Sequence, residues 1–346
     1  MTVMCLRTGA REFMSPFMML HNFTLWIRLS IADLFHTSLS LQRAELIAAS
    51  PYYFETISRF RNLVDTAICG SIIAIGGATY QVIFKNPMAA PTMLGVGSGI
   101  SLGLLLLVTQ YSVQAYAMVK ERFIYCFGLS ILMLLIVIAA GRFMGKGRRS
   151  VTDMLLIGSV FAQIAGAITT FVRMRMELEE LQILQTLSMY GFTVNTDYEF
   201  AGTAMLVIIG LFILCMFPIY MMRSSFDALS FSDEESKMMG INSGVVRAVA
   251  LLLVTTLVII AILYCGTIGA LSLAVPHICR YMFGSRFKNV FLGSAFMGAL
   301  LLIICRGISS MIYLEGMGFF PIGTIAGLVC APLLAMVLSQ RRRGWE

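Results

Sequence analysis

The chain reads as an all-α integral membrane protein of about ten transmembrane helices, on three observations. Of its 346 residues, 58% are hydrophobic and only 12% charged, with a mean hydropathy of +0.86, a balance outside the range of soluble globular domains. The apolar residues form long continuous runs, each near the roughly 20 residues that cross a bilayer as helix. These runs lack the apolar–polar alternation of membrane strands, which argues against a transmembrane barrel. Little chain remains for a soluble catalytic domain.

Nine runs are clear, at about residues 63–84, 93–111, 123–141, 152–171, 201–222, 245–265, 267–282, 290–314 and 321–338. A tenth candidate, about 14–36, is interrupted by His21, Arg28 and Asp33. It lacks the compact apolar core and small-residue cleavage site of a signal peptide. Residues 1–36 are therefore set apart as an N-terminal segment with a doubtful first span, followed by a membrane domain over 37–340 and a basic tail, 341–346.

With ten spans, the loops on one side hold Lys85, Arg142, Lys146, Arg148, Arg149, Arg223, Lys237, Arg280, Arg286 and Lys288, together with Arg341, Arg342 and Arg343. The other side holds Arg43, Arg59, Arg61, Lys120, Arg122, Arg173 and Arg175. The excess predicts a multi-pass protein whose C-terminus is cytoplasmic. The loop 172–200, with Glu177, Glu179, Glu180, Asp197 and Glu199, reads as a solvated segment on the outer side.

Composition also excludes partners. Cys69, Cys126, Cys215, Cys265, Cys305 and Cys330 lie inside apolar runs, where cysteine acts as a small hydrophobe, so no disulfide framework is expected. The net charge of +7 sits in short loops and forms no stripe for nucleic acid, which leaves lipid as the expected surroundings. Gly141 to Gly147, GRFMGKG, falls short of a phosphate loop, because three residues separate Gly141 from Gly145 and a glycine follows Lys146. No ATPase site is expected in this chain. With His21 and His36 in the N-terminal segment, His277 has no companions for a metal site and reads as structural. Among the few charges within or beside the runs are Asp65, Asp153, Arg306 and Glu315. They form no acidic relay of the kind a proton-coupled carrier would use.

Three stretches carry the remaining signal. In residues 77–103, Pro87 and Pro91 force a non-helical link, and Gly95, Gly99 and Gly103 recur at helical spacing, for close packing within one subunit or between two. Gln81 and Asn86 either cap freed backbone or line a pathway. In 266–288, Pro276, His277 and Arg280 end a short apolar stretch. Between Arg223 and Gly244 lies a polar insertion, RSSFDALSFSDEESKMMGINSG, with Ser232 and Glu235 at capping-box spacing, which predicts a short helix followed by Met238, Met239 and Ile241. It reads either as a solvated loop or as an adaptable docking surface.

These stretches resemble the permease subunits of type II ABC importers for iron-siderophores, haem and vitamin B12. QVIFKNPMAAPTMLG, residues 81–95, is similar to the family's Q-x-x-x-x-N-P-L-A-x-P-x-x-L-G. LSFSDEESKMMGIN, residues 229–242, resembles L-S-L-G-D-E-x-A-x-x-L-G-I-N. Gly266 to Arg280 is similar to G-x-I-G-F-x-G-L-x-x-P-H-x-x-R, and Phe320 to Gly323 with Ala331-Pro332 is similar to L-P-V-G and a later G-x-P. The resemblance implies a ten-helix bundle, paired with a second permease copy or a related permease and set on two separate ATPase subunits that hold ATP and magnesium. This chain itself would carry no cofactor. Asp233, Glu234, Glu235, Met238, Met239 and Gly240 would become the ATPase coupling contact. Arg59 and Arg61 would dock an extracytoplasmic binding protein. Gln81, Asn86, Pro87, Pro91, Gly95, Gly99, Pro276, His277, Arg280, Pro321 and Gly323 would shape the path.

The chain departs from the family at its outer end. Arg59-Phe60-Arg61-Asn62 stands where the family has R-L-P-R, Cys305-Arg306-Gly307 where it often has Asp and a further Arg, and Phe319 where it has Glu. The expectation is an importer of a ferric siderophore or haem, with a corrinoid next. Two classes compete: an ion-coupled secondary transporter, against which the insertion at 223–244 argues, and an intramembrane enzyme, which would need a nucleophile with a base or metal ligands at helical spacing, and the sequence offers neither.

Overall fold

The computed structural model describes residues 16–34, 50, 53–116, 118–144, 151–191, 198–231, 233–314 and 318–343. Ser232 and Glu315 lie outside the described residues, as do His36, Arg43, Lys146, Arg148, Arg149, Asp197 and the side chain of Asp153. Among the described residues the architecture is thirteen helices with one two-residue strand pair.

In chain order the helices are α1 (Pro16–Leu34), α2 (Tyr53–Ile83), α3 (Val96–Tyr111), α4 (Val119–Met144), α5 (Val151–Arg173), α6 (Leu178–Tyr190), α7 (Tyr198–Met221), α8 (Arg223–Leu229), α9 (Asp233–Met238), α10 (Ser243–Cys265), α11 (Leu271–Phe283), α12 (Phe287–Ser309) and α13 (Ile322–Arg343). The nine runs correspond to α2–α5, α7 and α10–α13, and the doubtful tenth to α1. Among the described residues, six helices are long and apolar enough to cross a membrane alone, and a seventh candidate is the bent pair Ile208–Met221 with Arg223–Leu229. The α11 helix, at 13 residues, reaches only about 20 Å at 1.5 Å per residue, about two thirds of the roughly 30 Å hydrocarbon core.

The centre of the bundle is α2. Within the apolar windows, 83% of the Thr56–Ile83 window is buried against 22% of Met154–Arg173 in α5, so α2 is enclosed by protein while α5 faces outward. With no hydrophobic drive between helices in lipid, such enclosure depends on close backbone approach. Gly70 provides it: a Cβ there would run into the carbonyl of Gly298 on α12, and one at Gly298 would meet that of Gly70. A buried Tyr80–Thr255 hydroxyl pair at 2.5 Å ties α2 to α10. Phe23 of α1 packs against Phe60 of α2, the rings tilted at 55° with centroids 4.5 Å apart.

Contacts also order the bundle's two ends. Lys85, Asp233 and Arg247 meet at one end, where Phe287 begins α12 beside Asp227. Toward the opposite end, Arg306 of α12 reaches Thr66 of α2 at 3.4 Å. This grouping agrees with the alternating loops assigned from the basic residues.

Two expectations are corrected. The segment 172–200 is not a plain solvated loop, because it contains α6, with Ile183, Leu184 and Leu187 buried. Its acidic residues work as helix-start chemistry: the Glu180 carboxylate accepts the Glu177 N–H at 3.3 Å and the Ser112 hydroxyl at 2.9 Å. The run 290–314 is not one helix to its end. Helix α12 stops at Ser309, and Tyr313–Leu314 pairs antiparallel with Gly318–Phe319.

Candidate functional site

The polar insertion forms an elbow. Helix α7 bends by 55° into α8 after Met221, and α8 buries Phe226, Ala228 and Leu229 against the bundle. Phe226 stacks on Phe287 at 4.3 Å between centroids. The Asp227 carboxylate accepts the Phe287 N–H at 2.7 Å, which satisfies a donor at the start of α12. Ser236 is fully buried and donates to the Ala228 carbonyl at 2.9 Å, folding α9 back on α8. Gly240 takes φ +76, the left-handed geometry that ends α9. Asn242 then caps α10 by accepting the Val245 N–H at 3.3 Å.

This base presents an exposed tip. Met238 is 87% and Met239 55% exposed, beside exposed Phe231, Glu234 and Glu235. The exposed methionines next to carboxylates make an adaptable apolar tip with an acidic collar. Asp233 behaves differently. Arg247 donates to both its oxygens, at 2.6 and 3.2 Å, and the Lys85 ammonium stands 3.8 Å away. The hydrogen bond from Arg247 comes first in holding the Asp233 carboxyl below the usual range, with the charges of Arg247, Lys85 and Lys237 adding to it. The role of Arg247 was not read from the sequence, since it sits early in an apolar run.

Two of the family-like stretches meet. Arg280 at the end of α11 donates to the buried Gln81 side-chain oxygen near the end of α2. Asn86 caps locally, accepting the Met88 N–H at 2.9 Å. Pro87 is exposed, while Pro91, itself buried, opens a 3-10 turn that Gly95 closes at φ +77. Gly99 and Gly103 pack inside the subunit, where a Cβ would stand 2.5 Å from the α carbons of Ser130 and Cys126. Pro276 lies within α11, and the His277 Nδ1 is 2.8 Å from the Leu273 carbonyl, a contact within its own helix. Pro321 accepts the N–H groups of Thr324 and Ile325 at the start of α13, and Gly323 lies against the Thr267 carbonyl.

At the opposite end the proposed docking arginines are not on open surface in the single chain. Arg59 is 6% exposed, and Arg61, 13% exposed at its side chain, stands 3.8 Å from Asp65.

Comparison with known proteins places this geometry. The chain is 28% identical over 290 residues to a protein of Helicobacter pylori described as a probable iron chelatin transport system permease, covering 82% of each. It is 23% identical over 280 residues to the molybdate import system permease MolB of Haemophilus influenzae, covering 81% of this chain and 79% of that one. It is 26% identical over 282 residues to the vitamin B12 import system permease BtuC of Vibrio cholerae, covering 82% and 81%. A solved structure of a metal-chelate type ABC transporter in an inward-facing conformation shares the fold at TM-score 0.73 and 21% identity, over 84% of this chain and 90% of that one. The FecCD transport family matches residues 17–340, a range that takes in α1. The chain belongs to the FecCD transport family, a family of transport permeases.

Proposed function

We propose that the chain is the membrane subunit of an ATP-driven importer carrying a ferric siderophore or haem, or failing these a corrinoid, into the cell. The observation that carries this reading is the elbow. Its methionine tip is exposed while its base is fastened to the ends of α2, α10 and α12. A tip built this way transmits force only if a partner holds it, and two ATPase subunits with ATP and magnesium are that partner. A second permease copy or a relative completes the path. ATP binding then favours one arrangement of the bundles over the other through differential affinity. The elbow end and the C-terminus face the cytoplasm, and the end bearing Arg59 and Arg61 faces an extracytoplasmic binding protein. The chelates carried by several relatives support the cargo class.

The test replaces Glu234 and Met239 together by arginine. The variant inserts in the membrane at normal yield but loses the ATPase subunit on co-purification, by about 2 kcal/mol or more if both are central contacts. Retention of the ATPase by this variant, or uptake that follows an ion gradient without any ATPase, contradicts the reading.

A further inference from the structure

Six residues of α9 carry three consecutive carboxylates, Asp233, Glu234 and Glu235, and the first is tied by a forked pair to the start of α10. We infer that Asp233 is a positioning residue that locks the elbow to the bundle and makes no contact with the ATPase, an assignment that rests on the coupling role proposed above.

The geometry is that of a brace. Arg247 lies within the second turn of α10 and is only 12% exposed at its side chain. Its two terminal nitrogens take both Asp233 oxygens, the fork geometry that resists rotation as well as separation. Lys85, just beyond the end of α2, completes the lock by donating to the Phe231 carbonyl as well as standing near Asp233. Both Asp233 oxygens are engaged from within the chain although its side chain keeps 48% of its surface open, so the forked pair and not burial is what fixes it, while Met238 is 87% and Met239 55% exposed.

Lys85 gives an independent sign of the same design. Its φ is 47, in the left-handed region that glycine and asparagine occupy most easily. A lysine there costs free energy that its side chain offsets through the Phe231 and Asp233 contacts. Pulling on α9 therefore moves the start of α10 and the end of α2 together, while Asp227 carries the start of α12.

The experiment uses the full assembly with its ATPase subunits in lipid nanodiscs. It compares hydrogen exchange across residues 243–250 with and without ATP plus vanadate, alongside co-purification of the ATPase. Asp233→Asn and Lys85→Gly are expected to keep the ATPase within about twofold, since the tip is untouched, while exchange across 243–250 in the resting state rises roughly tenfold in Asp233→Asn, which loses the charge-assisted forked pair, and by less in Lys85→Gly, which keeps the fork and loses only the lysine's contacts. The nucleotide-dependent change in that exchange is expected to vanish, and Asp233→Glu to restore it. Lys85→Gly relieves the backbone, so its loss of response is not a folding defect. Loss of the ATPase from Asp233→Asn would make Asp233 a contact residue and overturn the inference. So would an unaltered nucleotide response in both variants. Failure of the coupling role is read separately, from retention of the ATPase by the Glu234 and Met239 arginine variant.

Discussion

At residue scale, the bundle depends on places where a side chain is missing. A Cβ at Gly77 of α2 would overlap the carbonyl of Ser272 on α11, whereas one at Gly97 of α3 would meet nothing within 4 Å. Gly77→Ala should therefore cost about 1–3 kcal/mol by overpacking, and Gly97→Ala should be neutral or stabilise by up to about 1 kcal/mol through helix propensity. Thermal unfolding in detergent checks the pair, and equal melting points would remove the close-approach argument. Gln81 and Arg280 show what the sequence holds and what it withholds. Each was singled out within its own stretch, but 199 positions separate them, and no local pattern states that they bond. The same holds for Arg247, whose forked partner lies 14 residues back across a turn.

At element scale, long apolar runs were legible because the bilayer enforces length and satisfied backbone bonds. Runs 63–84 and 245–265 match α2 and α10 to within a few residues at their C-terminal ends. Helix α2 starts well before its run, because polar residues such as Arg59 and Arg61 continue the helix beyond the apolar part. Helix α6 escaped for the opposite reason. Its first turn is acidic, which reads as solvation, and its buried Ile183, Leu184 and Leu187 are too few for a clear period. The Glu180 carboxylate gives that helix a measurable dependence. Glu180→Ala removes its bonds to the Glu177 N–H and the Ser112 hydroxyl and should weaken the start of α6 by roughly 1 kcal/mol. Faster amide exchange at the start of α6, with α3 unchanged, is the expected result; unchanged exchange there would deny the capping role.

At the scale of the whole molecule, the two ends of the bundle gather different sets of charged residues. One end gathers Lys85, Asp233, Arg247 and Arg280 around the elbow. The opposite half gathers Arg61, Asp65, Thr66 and Arg306 between α2 and α12. Membership in a family of permeases was legible from ordered stretches of residues, and the positions of those stretches explain why. Two of them meet at Gln81 and Arg280, and a third builds the elbow close by. Cargo was less legible, since relatives named for an iron chelate, molybdate and vitamin B12 share comparable identity with this chain.

The central claim is that a motor subunit grips the tip of the elbow. The described cysteines are buried, so with Cys5, which lies outside the described residues, replaced by serine, Met239→Cys adds an accessible thiol at a position already 55% exposed. Short thiol crosslinking in the purified assembly should join that position to the ATPase subunit, with a yield that changes when ATP is bound. An ATPase that co-purifies yet never crosslinks there, or a thiol that a membrane-impermeant reagent reaches from outside intact cells, would contradict it.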